Sequence, residues 1–415
     1  METKQKFWIL PLFFVVLIDM LGIGIIVPII APLMLNPSNG ILPADYSFWA
    51  RNFLLGLLVS VFPIFQFFGA PILGALSDRH GRKKLLIVSI FGAMVGYIIF
   101  AWGIMAKNLV FLFLGRIIAG FMGGNIAIAF SSIADVSGAR EKAKNFGLIG
   151  MAFGFGFVIG PYIGGKLADS SFVSWFDFST PLWFAALLSF MNIIIVQLVF
   201  SDTLHTKVYT KISLLTGFQN IANAFKMQNL RTIFFVIFLH SLGFSFFAQF
   251  FQVLLIEKFS FSQVQIGNLF AYIGLWIAFT QGIITRIAAK HFAPNKVLRF
   301  SLAGLSIALF IVILPAQSKL FYLIMPLVAL TQGLTFPNST AIVSNLSGKE
   351  SQGEALGINQ SLQSLAFAIS PLIAGIIVSF NIHFPIIAAS SIVFIAWLVF
   401  LLFFKEAKRE TFHEI

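Results

Sequence analysis

The chain has 415 residues, 59% of them hydrophobic and only 10% charged, with 52 phenylalanines and no cysteine. Soluble domains carry about 25% charged residues, so this composition excludes a water-soluble globule, and the missing cysteines exclude disulfides, thiol nucleophiles and thiolate metal sites. The net charge of +12 raises nucleic acid as a partner, but the placement of the bases argues against it.

In chain order, twelve apolar runs are long enough to cross a bilayer as helices. They lie at roughly 7–31, 52–76, 84–106, 108–134, 143–168, 180–200, 231–256, 264–288, 297–316, 320–343, 353–379 and 384–404, here helices 1 to 12. Strand-type alternation is absent, so a helical bundle is the closed hydrogen-bonding solution. The first run contains Asp19 and has no small-residue cleavage site, so it reads as a retained helix rather than a signal peptide. Most Lys and Arg residues fall at the termini and in the even-numbered connections; the opposite side has Arg51, Lys107, Lys166, Lys258 and Lys319. The positive-inside rule then predicts cytoplasmic termini on a multi-pass cell-membrane protein, in the inner membrane if the source is bacterial. The basic excess is a topological signal.

The longest connection, 201–230, divides an N-terminal half (1–200) from a C-terminal half (231–415). Helix 5, "FGLIGMAFGFGFVIGPYIGG", aligns without gaps to helix 11, "LGINQSLQSLAFAISPLIAG", at an offset of 210 that puts Pro161 on Pro371. "VVLIDMLG" in helix 1 aligns to "VIFLHSLG" in helix 7 at an offset of 221, which pairs Asp19 with His240. Helix n matching helix n+6 in the same orientation describes parallel repeats about an axis along the membrane normal.

The connection between helices 2 and 3 reads "GALSDRHGRKKLL", with Gly74, Asp78, Arg79, Gly81 and Arg82 at fixed spacing. Topology requires bases but not Asp78 or the glycines. Asp78 ends helix 2, where the helix's partial charge is negative and a carboxylate is disfavoured, so it needs a positive partner. Helix 4 carries "LGRIIAGFMGG" with Arg116, and helix 5 carries Gly150, Gly154, Gly160, Pro161 and Gly164. Gly156, Gly160 and Gly164 form a small-residue stripe that permits close helix approach. Together with "LIDMLGIGIIVPII" and "SSIAD", these motifs resemble the major facilitator superfamily over essentially the whole chain, and within it the drug/proton antiporters of the tetracycline-exporter type. The resemblance implies an all-α polytopic membrane protein of twelve transmembrane helices in two pseudo-symmetric six-helix halves. It also implies a gate in which Asp78 faces the start of helix 11 near Gly353 and Arg82 pairs with Asp135, favouring the outward-facing state. The resemblance is incomplete: the 8–9 loop has Lys290 where the repeat would put Asp78, and Ile277 stands near the place of a helix 8 histidine. That argues against tetracycline itself as cargo.

Ionisable residues inside the hydrocarbon are functional candidates by default. Asp19 falls near the middle of helix 1, so proton coupling is expected to rest on Asp19, with Arg116 and either His240 or Glu257. Arg116 has three open readings: proton relay, anion binding, or a hydrogen-bonding role in the core. Gln66, Asn125, Gln249, Gln252, Gln281, Gln332, Asn338, Asn359, Gln360 and Gln363 are candidates for lining a polar cavity or bonding helices together. No nucleotide, zinc or dinucleotide motif occurs, so no cofactor, metal or enzymatic activity is expected. The expected function is proton-coupled export of small amphipathic or lipophilic molecules by a monomer in the bilayer. The alternatives are an importer or uniporter of a specific metabolite or siderophore-like compound, and a non-transporting receptor or assembly partner.

Overall fold

The computed structural model describes every residue except 1, 40, 137–141, 205–214, 228, 348–351 and 405–415; for 2–11, 134, 136, 142–151, 153, 157 and 352–354 only the backbone is described. All regular structure among the described residues is helical. Helices 1 to 3 span Glu2–Leu35, Phe48–His80 and Arg82–Met105. Helix 4 runs Leu109–Met122, passes through a 3-10 turn at Gly123–Asn125 and continues as Ile126–Val136. Helices 5 to 7 span Lys142–Leu167, Thr180–Val199 and Arg231–Phe259. Helix 8 runs Gln263–Phe279, a π turn at Thr280–Ile284, then Thr285–His291. Helices 9 to 12 span Pro294–Ile311, Phe321–Leu346, Gln352–Ile377 and Phe384–Phe403. Among the described residues eleven spans are long and apolar enough to cross a membrane, and helix 5, with 26 residues, makes the twelfth. A thirteenth, short helix, Thr216–Lys226, lies in the connection between the halves.

Local chemistry sets several ends. Ser47 accepts from Ala50 N–H to cap helix 2, and Ser262 with Gln265 forms a full capping box on helix 8. Helices 6, 9 and 12 begin with proline in the first turn, where its missing N–H costs nothing. Gly81 alone separates helices 2 and 3 at φ +104°, a backbone region that only glycine occupies without strain.

The two halves repeat several of their close helix contacts. Within the first half, the helix 5 stripe lies on helix 1: a Cβ added at Gly24 would come 3.1 Å from Gly160 Cα, and one at Gly164 would meet the Ile25 carbonyl. The offsets of 221 and 210 carry Gly24 and Gly160 onto Ser245 and Ser370, and those two hydroxyls are hydrogen-bonded in the second half. Between the halves, a Cβ on Gly375 of helix 11 would come 2.6 Å from the Asn52 carbonyl and 3.1 Å from Gly56 Cα of helix 2. At the pseudo-equivalent place, a Cβ on Gly165 of helix 5 would come 2.8 Å from the Gln263 carbonyl of helix 8, and one on Gly267 would come 2.5 Å from the Pro161 carbonyl.

Both inter-half seams therefore rest on backbone-to-backbone glycine contacts. Both lie near the face opposite the 2–3 turn, because Asn52 and Gly56 are close to the start of helix 2 and Gly375 is close to the end of helix 11. That far face is closed. Toward the basic face, which carries the 2–3 turn, the short linker helix lies between helices 2 and 11. Phe218 packs on Phe67 with ring centroids 5.3 Å apart, and Asn220 Nδ2 donates to Ser361 Oγ at 3.2 Å.

Candidate functional site

Each half holds one ionisable side chain in its first helix against an amide from its fourth. In the first half Asn125 Nδ2 donates to Asp19 Oδ2 at 2.6 Å, with Asn125 placed by the 3-10 turn that the glycine pair Gly123 and Gly124 permits in helix 4. In the second half His240 Nε2 lies 2.8 Å from Gln332 Oε1 of helix 10, so the imidazole donates when Nε2 carries the proton. The repeat thus places acid and imidazole in equivalent frames, but their surroundings differ. Asp19 is partly exposed beside a small apolar pocket lined by Val15, Val16, Met20, Ile126 and Ala129. His240 is only 3% exposed and stacks on Phe244. The histidine is the more enclosed residue of the two, while Asp19 borders a small pocket.

Arg116 is 7% exposed, and its guanidinium carbon lies 4.7 Å from the centroid of the Phe62 ring. Its Nε has no hydrogen-bond partner, and among the described residues no carboxylate lies within ion-pair distance of it. Tyr97 of helix 3, also buried, presses its hydroxyl against Gly22, one turn from Asp19. Glu257 is exposed two residues before the end of helix 7, far along the helix from His240.

At the 2–3 turn, Arg82 gathers both motif carboxylates. Its Nη1 is 2.5 Å from Asp78 Oδ1 and 2.6 Å from Ser77 Oγ, and its Nε is 3.0 Å from Asp135 Oδ2. Asp78 thus finds its positive partner on the following helix. No contact to helix 11 is recorded for it, and Gly353 lies where only the backbone is described. Gly74 has room, with Ala127 Cβ 3.8 Å from an added Cβ, and Arg79 has further interactions of its own. Gly150 also falls where only the backbone is described.

The polar candidates divide by partner. Gln66 donates to the Gly123 carbonyl at 3.0 Å, and Asn338 returns to the Leu334 carbonyl of its own helix at 2.7 Å. Gln363 donates to Asn359 Oδ1 at 3.2 Å, while Gln252 donates to the Gln249 carbonyl and leaves its own Oε1 buried without a partner. Gln360 is exposed, and Gln281 sits in the helix 8 π turn with its Oε1 about 4.0 Å from a Cβ added at Gly154. Gln66, Asn125, Gln332 and the Asn359–Gln363 pair thus act as helix-to-helix or within-helix ties, whereas Gln360 and Gln281 make no side-chain hydrogen bond to another described residue.

Three contributors had no motif. Asp202, at the start of the inter-half connection, accepts from Arg82 N–H at 3.1 Å and lies over Gly81, so it caps helix 3 from 120 residues away. Thr203 Oγ1 donates to Asp135 at 3.2 Å and ties the connection to the gate motif. Arg51, buried at the far face, donates to the carbonyls of Tyr46, Met34 and Pro43 and so stitches the 1–2 connection down.

Comparisons with known proteins bear on the family and the fold. The chain is 29% identical to the class E tetracycline resistance protein of Escherichia coli, over 86% of this chain and 85% of that one. It is 28% identical to the quinolone resistance protein NorA of Staphylococcus aureus, over 96% and 97%. Among solved structures, it shares the fold of the human organic anion transporter MFSD10 (TM-score 0.74, 21% identity, covering 95% of this chain and 99% of that one). It also shares the fold of the Escherichia coli xylose transporter XylE in a partially occluded inward-open conformation (TM-score 0.75, 15% identity, 98% and 99%). The family model described as Major Facilitator Superfamily matches residues 12–231 and 233–414, and the chain belongs to that superfamily of secondary transporters.

Proposed function

We propose that this protein exports small amphipathic or lipophilic molecules in exchange for protons, and that Asp19 is the proton carrier. The observation that carries the reading is the setting of Asp19: a carboxylate inside a membrane-spanning helix, beside a small pocket, held by the neutral amide of Asn125 and by no base within ion-pair distance among the described residues. A permanently paired acid would have no reason to exchange a proton, whereas one held by a neutral donor beside a pocket can load and unload. The relatives' names, resistance to tetracycline and to quinolones, support export of aromatic drug-like compounds. Arg116, whose Nε has no hydrogen-bond partner among the described residues and whose guanidinium lies over Phe62, remains the second charged group in the first-half core. The closed setting of His240 supports a packing role for it instead. Arg82 with Asp78 and Asp135 forms the gate at the basic face, which on the positive-inside rule is cytoplasmic. On that orientation the present conformation is closed outward, and the protein works as a monomer in the cell membrane.

The test uses protein in liposomes loaded with tetracycline, a quinolone or an aromatic lipophilic dye, with and without a pH gradient. Asp19→Asn abolishes gradient-driven accumulation and keeps gradient-free exchange. Full gradient-driven accumulation in that variant refutes the assignment.

A further inference from the structure

We propose that the linker helix Thr216–Lys226 is a wedge that holds helices 2 and 11 apart at the basic face, and that it must withdraw before the Asp78 gate can close. The inference concerns the conformational cycle and does not depend on which substrate or ion is carried.

The depth of each contact carries the argument. Helices 2 and 11 run antiparallel and touch at Gly56 against Pro371 and Gly375. Moving eleven residues toward the basic face reaches Phe67 on helix 2, and an equal step back along helix 11 reaches the level of Ser361, about 16 Å from the seam at 1.5 Å per residue. At that level the linker helix touches both helices. An added Cβ at Gly217 would strike the Phe67 ring, Phe218 packs on Phe67 and Phe68, and Asn220 donates to Ser361 Oγ at 3.2 Å. Behind it, Ile221, Ala224 and Phe225 of the linker helix and Phe234 and Leu362 of helices 7 and 11 enclose an apolar cavity of about 110 Å³.

A further eleven residues along helix 2 reach Asp78, which is level with the start of helix 11 at Gln352. Asp78 is therefore at the depth of the start of helix 11, about 16 Å beyond the level at which the linker helix bears on Phe67 and Ser361. Its attachment suits a part that must leave. Gly217 permits close seating, and the Asn220–Ser361 hydrogen bond and the ring contacts of Phe218 hold it, whereas at the gate turn Arg82 is ion-paired to Asp78 and Asp135. Asp202 pins the start of the same connection to Gly81 and Arg82.

The native chain has no cysteine, which makes the test direct. Asn220→Cys with Ser361→Cys is oxidised in membranes, alongside each single variant, and transport is followed before and after reduction. The expected result is a disulfide that stops transport and a reductant that restores it. A disulfide that leaves transport unchanged, or a pair that does not form one, overturns the proposal. A second variant reads the same equilibrium without a cross-link. In a Val158→Cys background, where the buried reporter lies between helices 5 and 8 near Gly274, Phe218→Ala raises labelling by a membrane-impermeant maleimide from the far face several-fold. Unchanged labelling counts against the wedge.

Discussion

Gly56→Ala separates the role of the inter-half seams from ordinary packing. A Cβ at Gly56 would fall on the Pro371 carbonyl oxygen, with Gly375 Cα 3.1 Å away, and both neighbours are backbone that no rotamer change can move. The helices must part by roughly 1 Å to recover van der Waals contact, and overpacking of this kind costs about 1–3 kcal/mol. Within one half that cost would fall on folding. At a seam between halves it falls only on the conformation in which the far face is closed, because the open conformation has no such contact. A bias of about 1–3 kcal/mol changes the ratio of the two conformations by about 5- to 150-fold. Labelling of Val158→Cys from the far face should rise accordingly, with thermal unfolding in detergent unchanged, and Gly267→Ala at the equivalent seam should behave alike. Gly164→Ala, which meets the Ile25 carbonyl inside the first half, should lose thermal stability without gaining label. Gly357→Ala, with nothing within 4 Å of an added Cβ, is the neutral control. If Gly56→Ala lowers the melting temperature and labels no faster than the control, the seam is ordinary core and the reasoning fails.

Asp202→Ala removes the acceptor for Arg82 N–H and should cost about 1 kcal/mol of stability, as cap deletions do; thermal unfolding checks it, and Asp202→Asn should restore most of the loss. Arg51→Met leaves the buried Met34 carbonyl without this donor, a loss of about 1–3 kcal/mol, and frees the exposed Tyr46 and Pro43 carbonyls to water, read as proteolytic nicking of the 1–2 connection. Burial, with Lys258 nearby adding to it, lowers the pKa of His383 from its ordinary 6.5 at the start of helix 12. Unfolded chains then bind the extra proton first, so stability contributed there is complete above pH 6.5 and is lost as pH falls below it. A histidine proton resonance titrating at or above 6.5 would contradict this.

What the sequence made legible was whatever has a period or a repeat. Twelve apolar runs gave twelve helices, because in a bilayer every backbone group must be satisfied within its own segment. The two alignments that put Pro161 on Pro371 and Asp19 on His240 connect residues that occupy matching contacts. The linker helix also carried a signal that the long connection obscured: Phe218, Ile221 and Phe225 recur at helical spacing on "TGFQNIANAFK". Asp202 carried none, since a single carboxylate capping a helix 120 residues away depends on how two segments meet in space. The difference between Asp19 and His240 was illegible for the same reason. The repeat fixes their frames, but exposure depends on which neighbours close over each.

The departure from symmetry is where the transport cycle acquires a preferred direction of rest. Two halves related contact for contact would close either face with seams of similar make, and the 2–11 and 5–8 seams use the same glycine-on-carbonyl construction. A single chain, however, crosses between halves only once, so one of the four seam ends must accommodate the connection. Here the connection is long enough to form a helix, and the helix is seated in the 2–11 seam at the depth of Phe67 and Ser361. Closing the far face therefore relies on backbone complementarity built into both repeats, while closing the basic face requires a non-repeated element to move aside first. Shortening the connection so that residues 216–226 no longer reach Ser361 should shift the resting population toward the conformation open at the far face, measured as faster Val158→Cys labelling. An unaltered resting population in that variant would show that the repeats alone set the balance.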